Sequence, residues 1–491
     1  MQVDELKSSA KAGFRWSFLR QVVVQVLNLT FGIVLARLLL PADFGNLAVA
    51  MILLGFLGIF KGLGLGNAFI YEPAADRSVF STAFVVAVLT AVLLAGMILF
   101  LAPHWVNWMD ADAVVVQVLC WLTVEFLLSG IYFIPYYYLI RNFNFRRLFW
   151  IDTTAVLLSG AVAVIIAWQG GGVWALVVRM ILLSSLKLLL VLDVLYQRLR
   201  LGFSTAIVQK LFSFSLPTLG DSSLSYVVRN FDDFLIGKFL GDKALGLYNR
   251  SYALLLLPVR QVSGVFSSVL FPALSRLERS EDRVLIYSQV IRTVAFISFP
   301  AMIGCGVLRE PLVIAVLGEQ WVEMVPLIGV FSVLGALQSL ATLNGSVFLA
   351  TGATRLQLKL GLVTKGFVLL ALWLGLSYGL IGIAIAYALS SILIMIPEFY
   401  YTARLLEIDP FKMLQRPARS LLVALIMGGL VFGLDQYLAS HSANYWQRLF
   451  WGTGLGVGSY FAIQYFLFPQ EVTNFLNIVR EQLSSKASGD G

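Results

Sequence analysis

Stretches of about twenty predominantly apolar residues, the length that spans the hydrocarbon core of a bilayer, recur along the whole chain. They fall near 14–36, 44–66, 79–101, 113–139, 150–168, 172–196, 213–236, 246–271, 289–307, 327–350, 360–376, 381–403, 418–436 and 447–468. Breakers stand between them, among them Pro41, the Gly170-Gly171-Gly172 run, Gly241, Pro311, Gly379 and Pro469. This pattern predicts an all-α polytopic membrane protein with about fourteen crossings, numbered here in chain order. The longest outer loop falls at about 308–326. The first apolar run lacks a small-residue cleavage site after it, so the N-terminus reads as retained helix.

Short segments of similar sequence reappear at a nearly constant offset. ARLLLPADFGNLAVA after crossing 1 resembles GKFLGDKALGLYNRS after crossing 7, with Gly45 matching Gly246; GGVWALV at 171–177 pairs with GLIGIAI at 379–385; YLIRNFNFRRL at 138–148 pairs with FLATGATRLQL at 348–358. Two six-helix bundles of equal orientation follow, a parallel repeat of the kind used by transporters. The expected division is 1–200, 201–404, and 405–491 for an appended helix pair and a cytoplasmic tail.

Composition agrees: 59% of residues are apolar and 13% charged, against about 25% charged in soluble proteins. That excludes a soluble enzyme and a disordered chain. The net charge of +8 comes from basic residues between apolar runs, which are topology signals and no nucleic-acid surface. With the N-terminus in the cytoplasm, most of them, Arg141, Arg146, Arg147, Arg276, Arg279 and Arg283 included, lie inside, and only Arg37, Lys238, Lys243, Arg250, Arg309 and Arg448 outside. An even number of crossings returns the C-terminus to the cytoplasm.

Seven cations remain within the spans: Arg20, Lys61, Arg179, Lys187, Arg229, Arg260 and Lys365. Each costs about 2.5–3.5 kcal/mol at the bilayer centre unless paired, hydrated or snorkelling. Arg260 lies mid-span on a polar stripe of crossing 8 with Asn249, Tyr252, Ser263 and Ser267. Crossing 7 carries Ser215, Ser222, Tyr226, Arg229 and Asp233 on one face, Arg229 and Asp233 four apart and close enough to pair. Crossing 1 presents Ser17, Gln21, Gln25, Asn28 and Gly32. Three such stripes imply an aqueous cavity; helix-to-helix hydrogen bonding is the alternative for any single Ser or Asn. Glu125, the deepest acid, shares a stripe with Trp121, Ser129 and Tyr132 on crossing 4, and a desolvated carboxylate there could exchange protons.

Other motifs are discounted. GLGLG at 62–66 ends a span and follows no strand, so it is no nucleotide loop. Asp43-Phe44-Gly45 lacks the companions of the kinase tripeptide. No Walker lysine loop is present, and His104 and His441 have no Cys partners for zinc. Cys120 and Cys305 lie within apolar runs and suggest no disulfide framework. Gly452, Gly454, Gly456 and Gly458 suit close helix packing. No metal and no cofactor is expected.

The stretches KAGFRWSFLRQ, LARLLLPADFGNLAVA, GLGLGNAFI, NFDDFLIGKFLGDKALGLYNRSYALLLLP and SVFLATGATRLQLK resemble the polysaccharide transporters, or lipid-linked oligosaccharide flippases, of the multidrug/oligosaccharidyl-lipid/polysaccharide exporter superfamily. The resemblance implies a V-shaped transporter of six plus six plus two helices in the bacterial cytoplasmic membrane. It implies alternating access, by which an undecaprenyl-pyrophosphate-linked oligosaccharide moves outward for exopolysaccharide, capsule or O-antigen synthesis. Cationic cavity residues would hold the cargo: Arg260, Arg229, Lys61, Arg20 and Lys187, with Asn249 and Tyr252 beside them. Glu125 and Asp233 are the candidates for proton or sodium coupling. Membrane lipids, a polysaccharide polymerase and glycosyltransferases are the expected partners. The alternatives are a multidrug or organic-cation antiporter of the same superfamily, a peptidoglycan-precursor flippase, and a polytopic polymerase or glycosyltransferase.

Overall fold

A computed structural model of the chain describes residues 3–61, 66, 69, 77–199, 203–205, 207–209, 222–223, 225–470 and 473. Its helices are α1 (Val3–Leu38), α2 (Pro41–Lys61), α3 (Arg77–Met109), α4 (Val114–Arg141), α5 (Phe145–Trp168), α6 (Val173–Arg198), α7 (Phe231–Leu240) and α8 (Asp242–Ser275). They continue with α9 (Ser280–Val307), α10 (Arg309–Val316), α11 (Val325–Ala341), α12 (Asn344–Ala350), α13 (Thr354–Gly375), α14 (Gly379–Leu405), α15 (Pro410–Ser440) and α16 (Tyr445–Leu467). Among the described residues ten stretches are long and apolar enough to cross a membrane, one of them, Thr354–Leu405, being α13 and α14 joined. The chain is a multi-pass membrane protein.

Residues 1–246 and 247–491 form two compact units. In the first, α3 packs on α4, α1 and α6 on α5, and α4 on α6. Small residues let these helices approach where lipid offers little hydrophobic drive for association: a methyl on Gly130 of α4 would overlap the Ala91 side chain of α3, and one on Gly160 of α5 would overlap the Phe31 ring of α1. One end of the bundle closes over a dry core that includes Phe80, Ile134, Leu148, Ile151 and Val191.

In the second unit α9 packs against α11 and α15, α13 on α14, and α15 on α16. Caps fix the appended pair. Asp409 accepts from the Phe411 and Lys412 amides ahead of α15, and Asn444 and Gln447 form a reciprocal capping box at α16. The expected outer loop is itself structured, folding into α10 and a 3₁₀ helix at Glu319–Met324. Crossing 10 is interrupted near Thr342, so α12 is separate from α11.

Arg448, at the start of α16, joins three helices. Its Nε and Nη2 donate to Asp435 of α15 at 2.8 and 2.9 Å, and Nη2 also donates to Glu310 of α10 at 2.9 Å. Asp435 and Arg448 are both buried, so removing one partner strands a desolvated charge. Asp435→Ala should cost about 3–5 kcal/mol, read as a lower unfolding midpoint in detergent. An unchanged midpoint would mean water reaches the pair freely.

Candidate functional site

The polar residues that collect inside the first unit come from five helices. Tyr136 of α4 donates its hydroxyl hydrogen to Asp152 Oδ2 of α5 at 2.7 Å, and accepts at 2.8 Å from Arg20 Nη1 of α1. The same Nη1 lies 3.2 Å from Asp152 Oδ2, while Lys187 Nζ of α6 pairs with Asp152 Oδ1 at 3.0 Å. A second group adjoins through α4. Lys61 Nζ of α2 is 3.3 Å from Glu125 Oε1, which also accepts from Ser184 Oγ of α6 at 3.1 Å. Aromatic faces complete the lining, with Lys61 Nζ 4.5 Å from the Phe126 ring centre and Lys187 Nζ 5.5 Å from that of Tyr136.

Three cations therefore face two carboxylates, an excess of one positive charge within a membrane-embedded bundle. The side chains of Lys61, Lys187 and Arg20 keep 17%, 19% and 23% of their surface exposed. Guanidinium and ammonium groups in such a setting form charge-assisted hydrogen bonds with phosphate oxygens.

Of the residues singled out in the sequence, Arg20, Lys61, Lys187 and Glu125 come together here. Asp152, Tyr136 and Ser184 were missed. The span expected on crossing 5 begins at 150, which leaves Asp152 at the membrane edge; the helix begins at Phe145 and carries Asp152 about two turns inward, where it is 7% exposed. The usable signal is the FRR triplet at 145–147, which belongs to the helix and shifts its start.

The contacts of this cluster include none of the other candidates among the described residues. Arg229 is exposed, and crossing 7 is kinked between it and Asp233: Asn230 leaves helical geometry (φ −112°, ψ 17°) and its side-chain amide donates to the Tyr226 carbonyl at 2.8 Å. Helical backbone bonds flank this kink, from Asn230 N to Tyr226 O and from Phe234 N to Asn230 O, both 3.0 Å, and Asp233 sits in the first turn of α7. In the second unit the Tyr252 ring packs edge-on against Phe331, 6.0 Å between centres, and beside Tyr387, with Asn249 half-buried one turn earlier on α8. Ser267 is bonded to Ser346 at 2.8 Å, a helix-to-helix link. Arg260 lies within α8, its side chain outside the described residues, and Ser215 lies outside them altogether. Arg179 of α6 donates to Asn28 Oδ1 of α1 at 2.7 Å, with its guanidinium 6.0 Å from the Phe31 ring centre.

The second unit has an apolar groove of about 460 Å³ between α9, α15 and α16, walled by Phe296, Pro300, Leu308, Val431, Gly452 and Tyr460. Of the four alternating glycines, a methyl on Gly452 would come within 2.7 Å of the Leu308 side chain and one on Gly456 within 3.4 Å of Val431, whereas at Gly454 and Gly458 it would meet open space.

Residues 34–326 match the family described as polysaccharide biosynthesis protein. The chain belongs to that family. Its relatives within polysaccharide biosynthesis include the teichuronic acid biosynthesis protein TuaB of Bacillus subtilis, 24% identical over 95% of this chain and 97% of that one. The succinoglycan biosynthesis transport protein ExoT of Rhizobium meliloti is 25% identical over 65% and 64%. Among solved structures, the lipid II flippase MurJ in an inward closed conformation superposes with a TM-score of 0.70 at 16% identity, covering 93% of this chain and 99% of that one. This family member thus shares the fold of that flippase.

Proposed function

We propose that the protein is a flippase that carries an undecaprenyl-pyrophosphate-linked oligosaccharide from the cytoplasmic to the outer leaflet of a bacterial cytoplasmic membrane, supplying exopolysaccharide, capsule or O-antigen synthesis. Both termini then face the cytoplasm. The observation that carries this reading is the cationic excess of Arg20, Lys61 and Lys187 inside the first bundle. A pyrophosphate cannot cross hydrocarbon while its charge is uncompensated, and these groups supply compensation. Family membership and the TuaB and ExoT names support polysaccharide precursors as cargo.

Glu125, bonded to Lys61, is the group we assign to coupling, and transport under an imposed pH gradient, compared between wild type and Glu125→Gln, tests that assignment. A polysaccharide polymerase and glycosyltransferases would supply and consume the cargo.

The test is translocation of a fluorescent undecaprenyl-pyrophosphate disaccharide in proteoliposomes. Wild type should move it; Arg20→Ala, Lys187→Ala and Arg260→Ala should each slow it, the last reporting on the stripe of α8. Export of organic cations in place of this lipid would make the protein a multidrug antiporter, with Asp152 and Glu125 as its cation sites.

A further inference from the structure

The first bundle holds one more cation, and its surroundings differ from those of the other three. Arg20, Lys61 and Lys187 each have a resident carboxylate. Arg179 has none among the described residues: one of its five N–H donors goes to Asn28, a neutral amide, and its plane rests near Phe31. It is half-buried, so the remaining donors stay open to a ligand.

Its position follows from α1 and α6 both flanking α5 and meeting through side chains. Arg20 and Lys187 meet at Asp152, and Asn28 meets Arg179. Each helix takes eight residues between these points, in opposite chain directions, which at 1.5 Å per residue is about 12 Å. Gln21 and Gln25 lie on α1 in this interval, and offer hydrogen bonds along it.

We propose that Arg179, positioned by Asn28, is a second anion-holding station for the pyrophosphate of the cargo, about 12 Å further along the bundle from the Arg20–Lys187 station. This rests on the flippase reading above. The chemistry gives the two stations different tasks. At the first, a pyrophosphate must compete with Asp152 and Glu125, so it is exchanged and not trapped. At the second no resident carboxylate competes, and a departing anion lets the first-station cations return to their own partners.

The experiment separates binding from movement. Undecaprenyl pyrophosphate binding is measured in detergent by quenching of intrinsic tryptophan fluorescence, and single-turnover translocation of the fluorescent disaccharide lipid in proteoliposomes. Arg179→Gln should lose less binding than movement, because the Arg20–Lys187 station remains, and should translocate at least 10-fold more slowly, with Arg179→Lys recovering part of the rate. Asn28→Asp is the discriminating variant. It places a carboxylate beside Arg179, which strengthens a purely structural pair but occupies an anion station, so it should be as slow as Arg179→Gln with an unfolding midpoint no lower than wild type.

Wild-type rates in Asn28→Asp would overturn the proposal in favour of a structural pair, as would wild-type rates in Arg179→Gln. Equal loss of binding and movement in Arg179→Gln would merge Arg179 with the first station and also overturn it. Vesicles of phosphatidylcholine alone and with phosphatidylglycerol separate the two sources of phosphate: a defect confined to the latter would make Arg179 a phospholipid site. Failure of wild type to move the lipid at all sinks the flippase reading itself, whatever the variants do.

Discussion

Asp152→Ala should be among the most destabilising single substitutions in the first bundle, costing about 3–5 kcal/mol, because it strands both Arg20 and Lys187. Asp152→Asn should cost less, since the amide oxygen can still accept from Tyr136 while the negative charge is lost. Stability and function come apart in a quadruple variant, Arg20→Met, Tyr136→Phe, Asp152→Leu and Lys187→Met together. Replacing a whole buried ionic group by apolar side chains of similar volume is often neutral or stabilising, so this protein should unfold at or above the wild-type midpoint. Transport should nonetheless fall at least 100-fold. Two lost charge-assisted hydrogen bonds are worth about 3–6 kcal/mol together, and about 1.4 kcal/mol is a factor of ten. Detergent unfolding and proteoliposome flux measured on the same preparations decide it. Flux retained in the stable quadruple variant would remove this cluster from the transport path.

The fold and about half of the cluster are legible in the sequence, for an identifiable reason. Bilayer spans announce themselves by composition, and a cation within one is conspicuous wherever its helix ends, as with Lys187 near the middle of α6. An acid two turns inside is conspicuous only if the helix start is known, and the apolar window placed that start five residues late on α5, hiding Asp152. Tyr136 and Ser184 carry no charge and look like ordinary span residues until three-dimensional pairing gives them partners. At Asn230 the loss is of another kind: apolarity persists through 213–236, so hydropathy alone could not reveal a local kink at which the side-chain amide donates to the Tyr226 carbonyl.

The internal repeat leads to the second large effect. Gly45 and Gly246, matched at the sequence level, meet across one crossing of helix starts in the first unit. A methyl carbon on Gly45 would overlap the carbonyl of Asp242 and lie 3.0 Å from its Cα; one on Gly246 would overlap the carbonyl oxygen of Pro41 and lie 2.9 Å from the Gly45 amide nitrogen. Pro41 is to Gly45 on α2 what Asp242 is to Gly246 on α8, so each helix offers a glycine to the other's first carbonyl. The surrounding fastenings hold the approach closed: Lys238 pairs with Asp110, and the Asp112 amide donates to Asp242 Oδ2 at 3.1 Å. Because the obstacles are backbone atoms, no rotamer change can admit a side chain. Gly45→Ala and Gly246→Ala should each cost about 1–3 kcal/mol by overpacking. The displacement of α2 from α8 that admits one methyl also admits the other, so the double variant should cost little more than either single one. A double-mutant cycle on unfolding free energies would show a coupling close in size to one single-variant effect; additive costs would mean that the two glycines relieve separate contacts and that the crossing does not move as one piece.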